Sequence, residues 1–203
     1  TPKPKDPLHE SDSRMWTEKY HPITSQELIG NKAAVDSLWE WLWDWNDVVI
    51  KGIKKEVKVK FGDWANAPKP NAWACLISGP PGIGKSSAAW LVAAELGIEV
   101  LEMNASDTWN KKSIDEQVKT LSTNTSLDYF KQTAKHAKNV EKKSVIIMDE
   151  IDGMSGSDRG GIAAIIQVIK DTRTPIICIC NDWYNQKLKS LGNYCFDVKF
   201  MKP

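Results

Sequence analysis

Arginine is nearly absent from this chain. Of its 27 basic residues only Arg14, Arg159 and Arg173 are arginines, and the formal net charge is +1. Bulk charge therefore gives no general attraction for polyanions, and any nucleic-acid partner has to be held by a local patch. No apolar run approaches the roughly 20 residues that cross a bilayer, and "TPKPKDPLHESDSR" lacks the apolar segment of a signal peptide. A soluble intracellular protein with no membrane partner is the expectation. Cys75, Cys178, Cys180 and Cys195 all fall in apolar runs without the CxxC spacing of zinc or redox sites, so they are expected as reduced core residues.

What is present is ordinary globular material, 41% apolar and 26% charged over 203 residues, enough for one domain with a full core. Residues 1–14, polar and proline-bearing, are expected as a disordered linker, followed by one nucleotide-binding α/β domain over 15–203. In "NKAAVDSLWEWLWDWNDVV" the tryptophans recur at period two, as in a strand. Helical projection instead gathers Asp36, Glu40, Asp44 and Asp47 on one face and Val35, Leu38, Trp39, Leu42, Trp45 and Val49 on the other. A helix is predicted, its end overlapping a long connection at 46–72 whose lysine-rich part runs from Lys51 to Asn71.

Beyond it, continuous apolar runs alternate with helical segments. "WACLIS" precedes a helix over 84–96, "IEVLEMN" one over about 111–122, and "SVIIMDE" one over about 159–171; "PIICICN", a short helix and "CFDVKF" follow. Unbroken apolar strands, each leading into a helix, predict a parallel sheet covered on both faces, with ligands at the C-terminal ends of the strands.

One such end carries Gly79-Pro80-Pro81-Gly82-Ile83-Gly84-Lys85-Ser86, followed by Ser87, which satisfies G-x-x-x-x-G-K-[ST] between a strand and a helix. The glycines let backbone amides turn toward phosphates, and the helix N-terminus adds partial positive charge. Lys85 is placed to bridge the β- and γ-phosphates of ATP, and the Ser86 hydroxyl to complete a magnesium shell. A P-loop needs a carboxylate near the metal, and "VIIMDEID" offers Asp149 to hold Mg2+ and Glu150 to orient and polarise the attacking water. Asn181, ending "IICICN", can contact the γ-phosphate or that water; a turn-forming Asn is the alternative.

Together these residues resemble the AAA+ ATPases, and among them the large subunit of replication factor C, the eukaryotic sliding-clamp loader. "MWTEKYHP", "LIGNK", "SGPPGIGKSSAAWLVAAELG", "EMNASDTW", "NTSLDYF", "IIMDEIDGMSGSDRGG", "PIICICND" and "YCFDVKF" carry the likeness over residues 15–203. It implies an α/β P-loop sandwich on a five-stranded parallel sheet, with the helical lid and a collar lying past residue 203. It implies an adenine pocket lined by Tyr20, His21, Pro22, Ile29 and Gly30. Helix starts near 104–108 and 154–159 would face primer-template DNA through Ser106, Asn110, Lys111, Ser155 and Arg159, although Trp109 stands where relatives usually carry arginine. Leu127, Tyr129 and Phe130 would insert into the sliding clamp, at a spacing one residue shorter than usual.

The resemblance further implies a nuclear hetero-oligomer, a pentamer with smaller clamp-loader subunits, that opens the clamp and places it on DNA using ATP. Its smaller members donate an arginine from a Ser-Arg-Cys run; here the matching stretch is "LGNYC", so Tyr194 donates none and the site depends on a neighbour's arginine for efficient turnover. Two alternatives stand beside this reading: a non-hydrolysing nucleotide-dependent scaffold that docks the clamp, and another AAA+ machine such as a branch-migration ATPase.

Overall fold

The computed structural model describes residues 22–56, 69–104, 143–153, 159–182 and 188–202, together with Met15, Lys19, Tyr20 and Gln186. Five parallel strands form its centre: β1 (Ala74–Ser78), β2 (Glu99–Asn104), β3 (Ser144–Asp149), β4 (Ile176–Cys180) and β5 (Cys195–Lys199). Their order across the sheet is β2-β3-β4-β1-β5. β1 and β4 lie inside and are buried at every residue, which is why "ACLIS" and "IICIC" show no alternation. β5 is an edge strand: in its "CFDVK" Cys195 and Val198 are buried, while Asp197 and Lys199 face solvent.

Alternate residues of each strand feed two separate cores. Ala74, Leu76, Ile146, Met148, Ile176 and Cys178 pack under α3 (Arg159–Asp171) and α4 (Leu188–Gly192). Cys75, Ile77, Val145, Ile147, Ile177 and Ile179 pack under α1 (Lys32–Trp45) and α2 (Lys85–Glu95). Ala88, Ala89, Val92 and Ala93 give α2 a flat, small-residue face that lets it lie close on the sheet. All four cysteines are free and buried. Burial pushes their thiols above the usual value, Cys180 to about 12, and holds them neutral.

α1 corrects two expectations. Its fully buried residues are Val35, Leu38, Trp41, Leu42 and Trp45, so Trp41 joins the expected core face, while Trp39 packs against that core only partly buried. The indole of Trp41 can be buried because its Nε1 donates to the Ala72 carbonyl at 3.1 Å. Trp45 does the same to the Trp73 carbonyl at 2.7 Å. Trp39 lies at the rim and stacks on the exposed Trp43, centroids 5.2 Å apart. Asn46–Ile50 widen into a π-helical turn that continues α1, so the connection starts at Lys51 and not at 46.

Ahead of α1, Asn31 adopts a left-handed φ of 52°. Its side chain pairs reciprocally with Met201, accepting from the Met201 amide at 2.7 Å and donating to the Met201 carbonyl at 2.9 Å. Asn31→Gly keeps the backbone conformation and removes both bonds. We predict a loss of about 1–2 kcal/mol, read as a lower urea midpoint at unchanged slope; an unchanged midpoint would show that the pair contributes nothing.

Candidate functional site

The loop between β1 and α2 is shaped by what cannot fit around it. Gly79 has φ 151°, and a Cβ placed there would meet the Phe200 carbonyl oxygen at 2.4 Å. Gly82 and Gly84 follow at φ 75° and 84°, turning the chain over the start of α2. Phe200 is itself fixed, since its amide donates to the Ser78 carbonyl at 2.8 Å.

Inside this loop the Lys85 side chain is only 6% exposed, and its Nζ donates to the carbonyls of Gly79 and Pro80, both at 2.8 Å. A third bond, at 2.9 Å, goes to Oδ1 of Asn181, just past the end of β4. Burial lowers the affinity of the Lys85 ammonium for its proton, while Asp149 and, more weakly, Cys180 and Asp152 work to retain it. Next along α2, the Ser86 hydroxyl donates to Oδ2 of Asp149 at 2.6 Å. Lys85, Ser86, Asp149 and Asn181, up to 96 positions apart in sequence, thus meet at the tips of β1, β3 and β4.

Adjacent strand residues face opposite ways, so Asp149 and Glu150 cannot share a site while both are in β3. The chain resolves this by ending the strand at Asp149 and giving Glu150 a left-handed φ of 55°. The Glu150 amide then donates to Oδ1 of Asp149 at 2.7 Å, and its side chain is exposed. A non-glycine residue in this conformation costs free energy, on the order of 1–3 kcal/mol, and strain of this kind collects at functional sites.

The donor set suits magnesium. Ser86 and Asp149 offer hard oxygen, and magnesium is commonly taken by one or two carboxylates together with phosphate.

The other expected residues are placed as follows. Ile29 and Tyr20 are 98% and 69% exposed, and Gly30 has φ 83°. Pro22 is half-buried, and His21 lies outside the described residues. The Ile29–Gly30 stretch adjoins Asn31, which is bonded to Met201, the residue after Phe200. Leu127, Tyr129 and Phe130, Ser106, Asn110, Lys111 and Ser155, the helix expected at about 111–122 and the tail 1–14 also lie outside the described residues. Arg159 opens α3, but its side chain is not among those described. Tyr194 precedes β5, at the opposite end of the sheet from Lys85, with Lys170 Nζ 4.7 Å from its ring centroid. Arg173 lies ahead of β4 at that same far end.

Sequence reasoning passed over Asp152. It sits in the short 3₁₀ turn Ile151–Gly153, and its Oδ2 accepts from the amides of Asn181 at 3.0 Å and Asp182 at 3.2 Å. One signal was available: a carboxylate shortly after Asp149, in a run whose first acids end a strand.

The family model for the ATPase family associated with various cellular activities (AAA) matches residues 75–203. Among curated proteins, the chain is 42% identical to replication factor C subunit 1 of Oryza sativa over 94% of its own length and 19% of that protein's. It is 43% identical to the Drosophila melanogaster protein of the same name, over 93% and 19%. A replication factor C large subunit from Methanococcus maripaludis is 35% identical over 88% and 30%. The chain spans about a fifth of the length of the eukaryotic relatives it matches. With a P-loop after β1, an acid pair at the tip of β3 and a family model that covers most of its residues, the chain belongs to the AAA family of ATPases.

Proposed function

We propose that this chain binds and hydrolyses ATP with Mg2+ as part of a large clamp-loader subunit, working with smaller subunits to open a sliding clamp and place it on primer-template DNA in the nucleus. The observation that carries the ATPase half is the bonded set Lys85, Ser86, Asp149 and Asn181 around the loop. The clamp-loader half rests on the likeness to the replication factor C large subunits.

In this reading the loop amides from Gly79 to Ser87, with Pro80, Pro81 and Ile83 shaping the turn, bind and orient the triphosphate, and Lys85 supplies fixed positive charge beside it. Ser86 and Asp149 hold magnesium, which when bound neutralises charge developing on the phosphates. Glu150 polarises the attacking water and accepts its proton, and Asn181 fixes the γ-phosphate. Tyr20, His21, Pro22, Ile29 and Gly30 flank the adenine. Efficient turnover depends on an arginine from an adjacent subunit; of this chain's own arginines, Arg173 stands at the far end of the sheet from Lys85. Leu127, Tyr129 and Phe130 take up the clamp, and Ser106, Asn110, Lys111, Ser155 and Arg159 contact DNA phosphates, which position a duplex without reading it.

The test uses the protein that carries this chain, purified in the assembly in which it occurs. ATP-dependent transfer of a fluorescent clamp onto primer-template DNA is expected, and Lys85→Ala in this subunit should weaken both ATP binding and transfer. ATP binding without transfer would refute the clamp-loader half; transfer and ATP binding both unaffected by Lys85→Ala would refute the assignment of the loop.

A further inference from the structure

We propose that Asp152 is a positioning residue that ties the turn carrying Glu150 to the turn carrying Asn181, so that groups from two different strands act at a fixed separation. The inference deepens the ATPase reading above and rests on it. Four observations support it.

β4 ends its ladder at Cys180, so the amides of Asn181 and Asp182 point beyond the sheet and need acceptors. Asp152 Oδ2 takes both. Asp152 is in turn immobilised from its own side: Gly153 donates to the Glu150 carbonyl at 2.9 Å, and Ile151 is buried in the core cluster that also contains Cys180. Glu150 and Asp152 therefore belong to one short, anchored turn. The path continues to the loop, because the side chain of the residue so held, Asn181, accepts from Lys85.

The fourth observation concerns the unused oxygen. Asp152 Oδ1 is buried and has no hydrogen-bond partner among the described residues. Both amides are met by Oδ2 alone, so the tie needs one acceptor oxygen at this reach and not the second, which is what separates Asp152→Asn from Asp152→Ala below.

The experiment compares Asp152→Ala, Asp152→Asn, Asn181→Ala and the Asp152→Ala/Asn181→Ala double variant in the whole assembly. Asp152→Ala is expected to lower kcat at least tenfold, with affinity for a non-hydrolysable ATP analogue within threefold of the unaltered protein. Asp152→Asn, which keeps an acceptor of the same reach, should recover kcat to within threefold. The double variant should be no slower than Asn181→Ala alone, because Asp152 acts through Asn181. Losses that multiply, an affinity loss as large as the rate loss, or an Asn variant as poor as the Ala variant would each overturn the proposal.

Amide hydrogen exchange at Asn181 and Asp182 gives a readout independent of turnover. Protection should fall at least tenfold in Asp152→Ala and hold in Asp152→Asn; unchanged protection in the Ala variant overturns the strut. If the unaltered assembly hydrolyses no ATP, the ATPase reading fails while the exchange result still decides whether the tie exists. Should Asp152→Ala not fold, Asp152→Ser, whose hydroxyl is too short to reach both amides, serves in its place with the same expected outcomes.

Discussion

Glu150→Gln is expected to abolish DNA-stimulated ATP turnover, by about 10²–10⁴-fold, while ATP affinity stays within roughly threefold. Glutamine has the same shape and can still orient a water, but it cannot take the proton that the attacking water must lose. The placement of Glu150 explains why the effect should fall on rate alone. Its side chain is exposed, whereas the loop contacts belong to Lys85, Ser86 and Asn181. Its backbone is tied down, the amide to Asp149 and the carbonyl to Gly153, and the substitution touches neither bond. The measurement is steady-state turnover by the assembly with clamp and primer-template DNA, paired with equilibrium binding of a nucleotide analogue. Turnover that survives in Glu150→Gln would assign the hydrolysis to the other subunits and favour the scaffold reading of this one, in which nucleotide serves assembly and no water-polarising acid is needed.

The second large effect concerns stability. Gly79→Ala is expected to cost about 4 kcal/mol, combining roughly 1–3 for overpacking with roughly 1–3 for a forced backbone conformation. The new Cβ would collide with the Phe200 carbonyl oxygen at 2.4 Å and with Ile83 Cδ1 at 2.9 Å. Ile83 can swing aside. The Phe200 backbone cannot, because its own amide is bonded to Ser78 and the next residue is held by Asn31. Gly82→Ala is the control: φ is 75°, but a Cβ there meets nothing within 4 Å. It should therefore cost only about 1–2 kcal/mol for the left-handed backbone. For a chain of this size the difference between the two corresponds to roughly 4–12 °C in melting temperature. Equal losses in the two variants would mean that the Phe200 contact does not restrain the loop.

The parallel sheet was readable because β1, β3 and β4 are fully covered on both faces in their middles, and full cover writes itself into the chain as unbroken apolar runs. Lys85, Ser86, Asp149 and Asn181 were readable for a chemical reason: phosphate and magnesium demand fixed residue types at strand ends. Trp41 was missed because four tryptophans at period two satisfy more than one helical stripe, although Trp39 does pack against the core in part. The spacing Leu38, Trp41, Leu42, Trp45 was the better one, at i, i+3, i+4 and i+7. Asp152 escaped because its importance lies in a contact with a distant part of the chain, the turn after β4. An Asp in a short turn ordinarily caps only its own neighbours.

The family model begins at Cys75, yet α1 lies wholly upstream of that point. That helix roofs one side of the sheet, and its two buried indoles steer the backbone into β1. A boundary drawn where the matched region starts would strip α1 from the surfaces of α2 and β5 on which it packs and leave a sticky, half-open slab. A trimmed version prepared for crystallography or biophysics should therefore begin ahead of Lys32, so that α1 stays over the greasy surfaces it covers.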